Sequence, residues 1–204
     1  MIKQSIIPLE SLGTRLLPLT SVFAKELLPI NGKPGLEYIL DECIEAGIKE
    51  VIFIISKKKM MIKDYFYKDN FYKSIIKKKK KERIVKKYKK ILKYRKMIKF
   101  VYQNKPLGTG DAVLKTQKFI RNKFFLMLLP DDLIIKKNCS KTMIKVHAQH
   151  KCSVMASMKV VKNTVSRWGI YKLSKKLNKD NYLINDVIAQ PKNKNTPTNK
   201  ADKE

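Results

Sequence analysis

Residues 51–55 read Val-Ile-Phe-Ile-Ile, five apolar side chains in succession between Glu50 and Ser56-Lys57. Successive side chains of a strand point to opposite faces, so a run this uniform predicts a strand buried on both. Such strands belong to parallel sheets covered by helices on each side. The neighbouring segments agree. Ile6-Ile7 with Leu9 predicts a short buried strand, Ile98–Tyr102 another, and Phe124 to Leu129 a fully apolar one ending at Pro130-Asp131-Asp132. Helical stripes alternate with them: Leu36, Ile39, Leu40, Cys43 and Ile44, opened by Pro34 and closed by Gly47, then Ile84, Tyr88, Ile91 and Leu92. Further helices are expected from about Asp111 to Phe119 and near 138–150. Val154, Ala156, Met158 and Val160 share one parity, and Gly169–Leu173 and Tyr182–Ile188 read as shorter strands. The pattern predicts an α/β fold, Rossmann-like, with a mostly parallel sheet and helices on both faces. One domain is expected over 1–190, followed by a polar, irregular tail over 191–204.

Charge is the other conspicuous feature. The chain of 204 residues carries 46 basic and 17 acidic side chains, a formal charge of +29. Segment 57–99 alone holds 20 basic residues against Asp64, Asp69 and Glu82. A polyanion partner such as nucleic acid is one reading. Two observations favour a solvated face instead: the lysines of 82–95 alternate with an apolar helical stripe, and only five of the basic residues are arginines, the side chain that reads nucleic-acid grooves. Nucleic acid is therefore not the expected partner. The apolar run at 124–130 is far short of the roughly 20 residues that span a bilayer, so no membrane is expected. Three cysteines without C-x-x-C spacing predict neither a disulfide framework nor a zinc site, which suits a cytoplasmic protein.

Ligands of α/β sheets bind at the carboxyl ends of the strands, and the polar residues there are the ones to read. The first strand runs into Ser11-Leu12-Gly13-Thr14-Arg15, the 98–102 strand into Gln103 and then Gly108-Thr109-Gly110, and the 124–129 strand into a pair of carboxylates. Cations at one strand end and a carboxylate at another suit a Mg²⁺-bound nucleoside triphosphate. Neither the Walker loop nor G-x-G-x-x-G is present.

Residues 12–34, LGTRLLPLTSVFAKELLPINGKP, resemble the signature of sugar-nucleotide pyrophosphorylases, G-x-G-T-R-x-x-P-x-T-x-x-x-P-K-x-x-x-P, and in particular that of bacterial UTP–glucose-1-phosphate uridylyltransferases. Further segments agree in order and spacing: ECIEAGIKEVIFIIS at 42–56, IKDYF at 62–66, Gln103 with Gly108 to Ala112, LLPDDLI at 128–134 and VSRWGIYKL at 165–173. The resemblance implies transfer of uridylyl from UTP to α-glucose 1-phosphate with release of pyrophosphate, dependent on Mg²⁺. It implies roles for Arg15 on the triphosphate, Lys25 on the α-phosphate and sugar phosphate, and Asp131 on Mg²⁺. Leu12, Gly13 and Thr14 would line the nucleotide, Gln103 and Gly108 would read the uracil edge, and Gly169 would pass close to the sugar.

The chain departs from the family at named positions. Glu10-Ser11 replace Ala-Gly, which places a carboxylate where it is expected to face the triphosphate. Ser21 replaces a lysine and Ala24 a proline, and Ile188-Ala189-Gln190-Pro191 stands where the family reads Val-Glu-Lys-Pro. The family continues beyond the position of Glu204 with further sheet, a second Mg²⁺-binding Asp and helices used in oligomer contacts. The chain therefore reads as a C-terminally truncated, divergent member with an incomplete sheet, and a family-type homo-oligomer is not expected without that part. Two other readings stay open: an inactive nucleotide-binding remnant and a basic nucleic-acid-binding protein.

Overall fold

The structure, a computed structural model, describes residues 1–79, 81–105, 107–189, 191 and 200–202. The chain divides into two compact units, Met1–Ile144 and Lys145–Glu204.

The first unit is built on a parallel sheet. Strand β1 (Gln4–Pro8) is followed by a long loop containing the two-residue strands β2 (Pro29–Ile30) and β3 (Lys33–Pro34), then helix α1 (Gly35–Glu45) and strand β4 (Glu50–Ile55). Three helices, α2 (Met60–Tyr67), α3 (Asn70–Lys79) and α4 (Glu82–Arg95), lead to β5 (Ile98–Tyr102). A short helix α5 (Thr109–Lys115) precedes β6 (Leu126–Met127), and α6 (Cys139–His150) follows. The order is β5-β4-β1-β6, every pairing parallel. The apolar run that opened the sequence argument is the interior strand β4, hydrogen-bonded on both edges, with Val51 to Ile55 all fully buried.

Alternation along the strands divides the core into two layers. Ile7, Val51, Phe53 and Ile55 pack with Leu36, Ile39, Leu40 and Cys43 of α1, Ile62 and Phe66 of α2, and Ile91 and Tyr94 of α4. On the opposite face Ile6 and Ile54 pack against Ala112 of α5. Helix α1 ends as its glycine predicts: Gly47 has φ +82°, its N–H donates to the Ile44 carbonyl, and the Ile48 N–H donates to the Cys43 carbonyl. Along α4, Ile91 and Tyr94 are buried while Lys86, Lys87, Lys89 and Lys93 are exposed, which is the solvated face expected of the lysine excess. A polar network fastens this helix to α1. Asp41 accepts from Tyr94 Oη at 2.6 Å and from Lys90 Nζ at 2.8 Å, and also from Lys33. Burial opposes its ionisation, but these donors outweigh it and hold the Asp41 carboxyl below the usual range.

Two elements are shorter than their apolar runs. The strand expected over 124–129 forms only at Leu126–Met127, which pair with Ser5 and Ile6 of β1. The helix expected to reach Phe119 stops at Lys115 and continues as a single 3₁₀ turn over Gln117–Phe119.

The second unit is antiparallel. Its sheet joins β7 (Ser157–Lys159), β8 (Gly169–Lys176), β9 (Tyr182–Ala189) and β10 (Lys200–Asp202) in the order β7-β10-β8-β9. β8 and β9 form a hairpin longer than the sequence pattern indicated, with register shifts on either side of Leu173. Val154, Ala156, Met158 and Val160 are partly buried and the residues between them exposed, as their shared parity predicts. Val165 and Ile170 form a small core against which Val160 and Trp168 pack. The tail expected to be irregular is a strand at Lys200–Asp202, where pairing with β7 and β8 supplies the backbone partners; residues 192–199, 203 and 204 lie outside those described. Among the described residues no helix is long and apolar enough to cross a membrane.

Candidate active site

The strand order contains a reversal. The chain steps from β1 to β4 to β5 in one direction, then returns past β4 and β1 to place β6 on the other side of β1. In open α/β sheets the crevice outside the carboxyl ends of the strands at such a reversal is where ligands bind. Two loops leave there, one after β1 and one after β6, and they carry Leu12, Gly13, Thr14, Arg15 and Lys25 on one side and Asp131 on the other.

In the first loop Gly13 takes φ +67°, a left-handed conformation that a side chain would strain. A Cβ there would also come within 3.1 Å of Thr20 Cγ2. Thr20 Oγ1 donates to the Gly13 carbonyl at 2.8 Å and holds the turn closed. Leu12, Thr14 and Arg15 are exposed around it, and Arg15 makes no ion pair among the described residues. Lys25 Nζ lies 2.7 Å from Asp131 Oδ2, so the proposed phosphate cation and the proposed metal carboxylate meet across the reversal. The two differ in environment: the Lys25 side chain is 12% exposed and that of Asp131 56%.

Two contacts on either side of Lys25 were not legible in the sequence. The Ala24 N–H points at Met61 Sδ, 3.0 Å away. Glu26 is buried and its Oε1 accepts from Lys59 Nζ at 2.7 Å, the lysine itself being buried. Burial lowers the Lys59 pKa, and the Glu26 charge and hydrogen bond oppose that shift. Lys59 ends the run Lys57-Lys58-Lys59, in which nothing separates it from its exposed neighbours.

Glu10, beside the first loop, has its Oε2 buried without a hydrogen-bond partner. Desolvation raises the Glu10 pKa, opposed by a backbone hydrogen bond and by the charges of Lys59 and Lys25, and assisted by that of Glu26. The folded protein thus binds a proton here more readily than the unfolded chain. The resulting destabilisation builds as pH rises out of the ordinary carboxylate range through the higher folded pKa. Glu10→Gln is expected to raise the melting midpoint at pH 7 by about 2–4 °C. The difference should disappear near pH 4 in a series of thermal melts.

A third loop, after β5, carries the base-reading candidates. Gln103 is 1% exposed. Its Nε2 donates to Asp111 Oδ2 at 2.6 Å and to the Gly108 carbonyl at 3.3 Å, while its Oε1 is buried without a partner. Gly108 has φ +91° and open space where a Cβ would stand. The role of Asp111 in orienting the amide is visible only once the loop has folded back over eight residues. Gly169 is buried at the start of β8, in the second unit. Among the described residues no three His, Cys, Asp or Glu side chains cluster as a metal cage. Asp131, a hard and solvent-accessible carboxylate, suits a Mg²⁺ ion that keeps waters and takes its other ligands from phosphates.

The family model described as nucleotidyl transferase matches residues 12–199. The chain belongs to the nucleotidyl transferase family. A UTP–glucose-1-phosphate uridylyltransferase of Streptococcus pyogenes is 31% identical over 205 residues, covering 98% of this nucleotidyl transferase and 67% of that protein. A UTP-bound UDP-glucose pyrophosphorylase from Acinetobacter baumannii superposes with a TM-score of 0.90 at 26% identity, over 98% of this chain and 72% of that one. A UDP-glucose pyrophosphorylase complexed with UDP-glucose superposes with a TM-score of 0.82 at 29% identity, over 99% and 74%.

Proposed function

We propose that this nucleotidyl transferase moves the uridylyl group of UTP onto α-glucose 1-phosphate in the cytoplasm, giving UDP-glucose and pyrophosphate. A phosphate oxygen of the sugar phosphate attacks the α-phosphorus of UTP, and the bond from that phosphorus to the bridging oxygen of pyrophosphate breaks. The work of the protein is alignment and charge neutralisation. Lys25 neutralises the α-phosphate and the incoming sugar phosphate, and Arg15 the departing pyrophosphate. Leu12, Gly13 and Thr14 bring backbone against the nucleotide, and Gly169 lines the sugar. Asp131 is the residue to hold Mg²⁺, which when bound offsets the charge of the phosphates.

The observation that carries the reading is the Lys25–Asp131 pair at the strand reversal. A cation and an anion that neutralise one another in the free protein can exchange partners when a metal–triphosphate arrives, the lysine turning to phosphate and the carboxylate to metal. Gln103 supports the choice of base. With Nε2 committed to Asp111 and Gly108, Oε1 is left a buried acceptor that no protein group satisfies; a donor such as the N3–H of uracil suits it, and the unprotonated N3 of cytosine does not. Gln103→Leu is expected to lower kcat/KM for UTP roughly ten- to a hundredfold, the cost of leaving a buried polar group unpaired. Steady-state kinetics with UTP and CTP check it, since the preference between them should narrow.

The deciding experiment is pyrophosphate release from UTP, Mg²⁺ and glucose 1-phosphate. Turnover that needs all three establishes the reading. UTP binding without turnover would overturn it in favour of a nucleotide-binding member that has lost transfer, for which Ala189 and Gln190 supply a reason in the sequence.

A further inference from the structure

The pair formed by Lys59 and Glu26 lies outside every role assigned above, yet it adjoins the residue on which the proposed chemistry depends. Glu26 follows Lys25 within one 3₁₀ turn, Lys25–Leu27. Its side chain is fully buried, that of Lys59 is 9% exposed, and Nζ and Oε1 stand 2.7 Å apart. Burying such a pair removes two charges from water, and its net contribution to stability is commonly small or negative against apolar packing. What it does supply is a fixed distance between two pieces of chain. Lys59 belongs to the 3₁₀ turn Lys57–Lys59 that leaves the carboxyl end of β4, and Met61, two residues later, receives the Ala24 N–H. Lys25 is thus held on both sides by one segment, through Ala24 and through Glu26. Between these anchors its own ammonium reaches Asp131.

We infer that Lys59 is a positioning residue for Lys25: through the buried carboxylate of Glu26 it fixes the turn that aims the Lys25 ammonium across the strand reversal. The inference rests on the role proposed for Lys25, and the test separates the two.

Lys59→Met, near in length and uncharged, is expected to lower kcat for pyrophosphate release about 10- to 100-fold with KM for UTP within threefold, the pattern of a misaimed group. Lys59→Arg should recover most of that loss. Lys59→Met also leaves Glu26 buried and unpaired, and the protein will be less stable. The double variant Lys59→Met with Glu26→Gln relieves that strain. It should regain the wild-type denaturation midpoint without regaining kcat. Trace acetylation of Lys25, which the Asp131 pair protects, should rise several-fold in the double variant, a readout that does not need turnover. Recovery of both midpoint and kcat, with Lys25 acetylated at the wild-type rate, would show the pair to be merely structural and overturn the inference. A Lys25→Ala protein that turns over normally would overturn the role of Lys25 itself. An inactive Lys25→Ala beside a fully active Lys59→Met would overturn only the positioning.

Discussion

Lys25→Ala should lower kcat for pyrophosphate release by about 10²- to 10³-fold while leaving the denaturation midpoint almost unchanged. Both halves follow from the asymmetry of its ion pair. A single preorganised electrostatic group in a water-poor site is worth about 2.7–4 kcal/mol of transition-state stabilisation. Lys25, 12% exposed and anchored on both sides, is such a group. Its partner in the free protein is 56% exposed, so removing the lysine returns Asp131 to water instead of stranding it. Pairs of this kind contribute about 0–1 kcal/mol to folding. Single-turnover kinetics at saturating UTP, set beside urea denaturation of the same variant, check both. Lys25→Arg is not expected to rescue: the guanidinium fork is longer and planar, and the site was built around a compact ammonium. A Lys25→Ala protein with unchanged kcat would remove the basis for placing phosphate chemistry at this reversal.

The residues read correctly in the sequence share a property: their roles are carried by local pattern. The continuous apolar run 51–55 forces burial on both faces, and β4 is the interior strand of the sheet. Gly47 closes α1 with the left-handed turn that a glycine allows, and the stripe Leu36–Ile39–Leu40–Cys43 is the buried face of that helix. The loops after β1 and β6 lie side by side because those strands pair in the sheet, and Lys25 of the first meets Asp131 of the second. What escaped was decided by tertiary contact. Lys59 is one lysine of three in a row, distinguished only by the carboxylate that the fold places against it. Asp111 is an ordinary first-turn acid until Gln103 reaches it. Glu10 has an oxygen buried without a partner, and desolvation outweighs the nearby cations in raising its pKa, a balance set only by the folded surroundings. In the second unit periodicity found β7, β8 and β9 but not β10, which lies in the stretch read as an irregular tail and is set by backbone pairing with β7 and β8, distant in sequence.

Phe53→Ala is the complementary case, a large loss of stability with no direct part in chemistry. Phe53 is fully buried at the middle of β4, with its ring centroid 5.7 Å from that of Phe100 and 6.0 Å from that of Phe66. Phe66 in turn meets Tyr94 edge-on at 6.3 Å, so one ring connects the sheet to α2 and, through it, to α4. Truncating a buried phenylalanine costs about 3–5 kcal/mol, because the lost transfer energy is joined by a cavity that the surroundings fill only partly. Collapse is restrained here: β4 is hydrogen-bonded on both sides, and its backbone cannot move towards α2 without breaking a ladder. Against a total stability of about 5–15 kcal/mol the loss is a large fraction, and a fall in melting midpoint on the order of 10 °C is expected. Phe71→Ala provides the control, since that ring is 76% exposed and its removal should stay within about 0.5 kcal/mol of wild type. Equilibrium urea unfolding distinguishes the mechanisms. A lowered midpoint with an unchanged slope marks lost packing, whereas a changed slope would mean that the parallel sheet no longer unfolds as one unit with its helices. Activity of Phe53→Ala should track its folded fraction and return on cooling towards the temperature of maximum stability, whereas the loss in Lys25→Ala persists at every temperature at which the protein is folded.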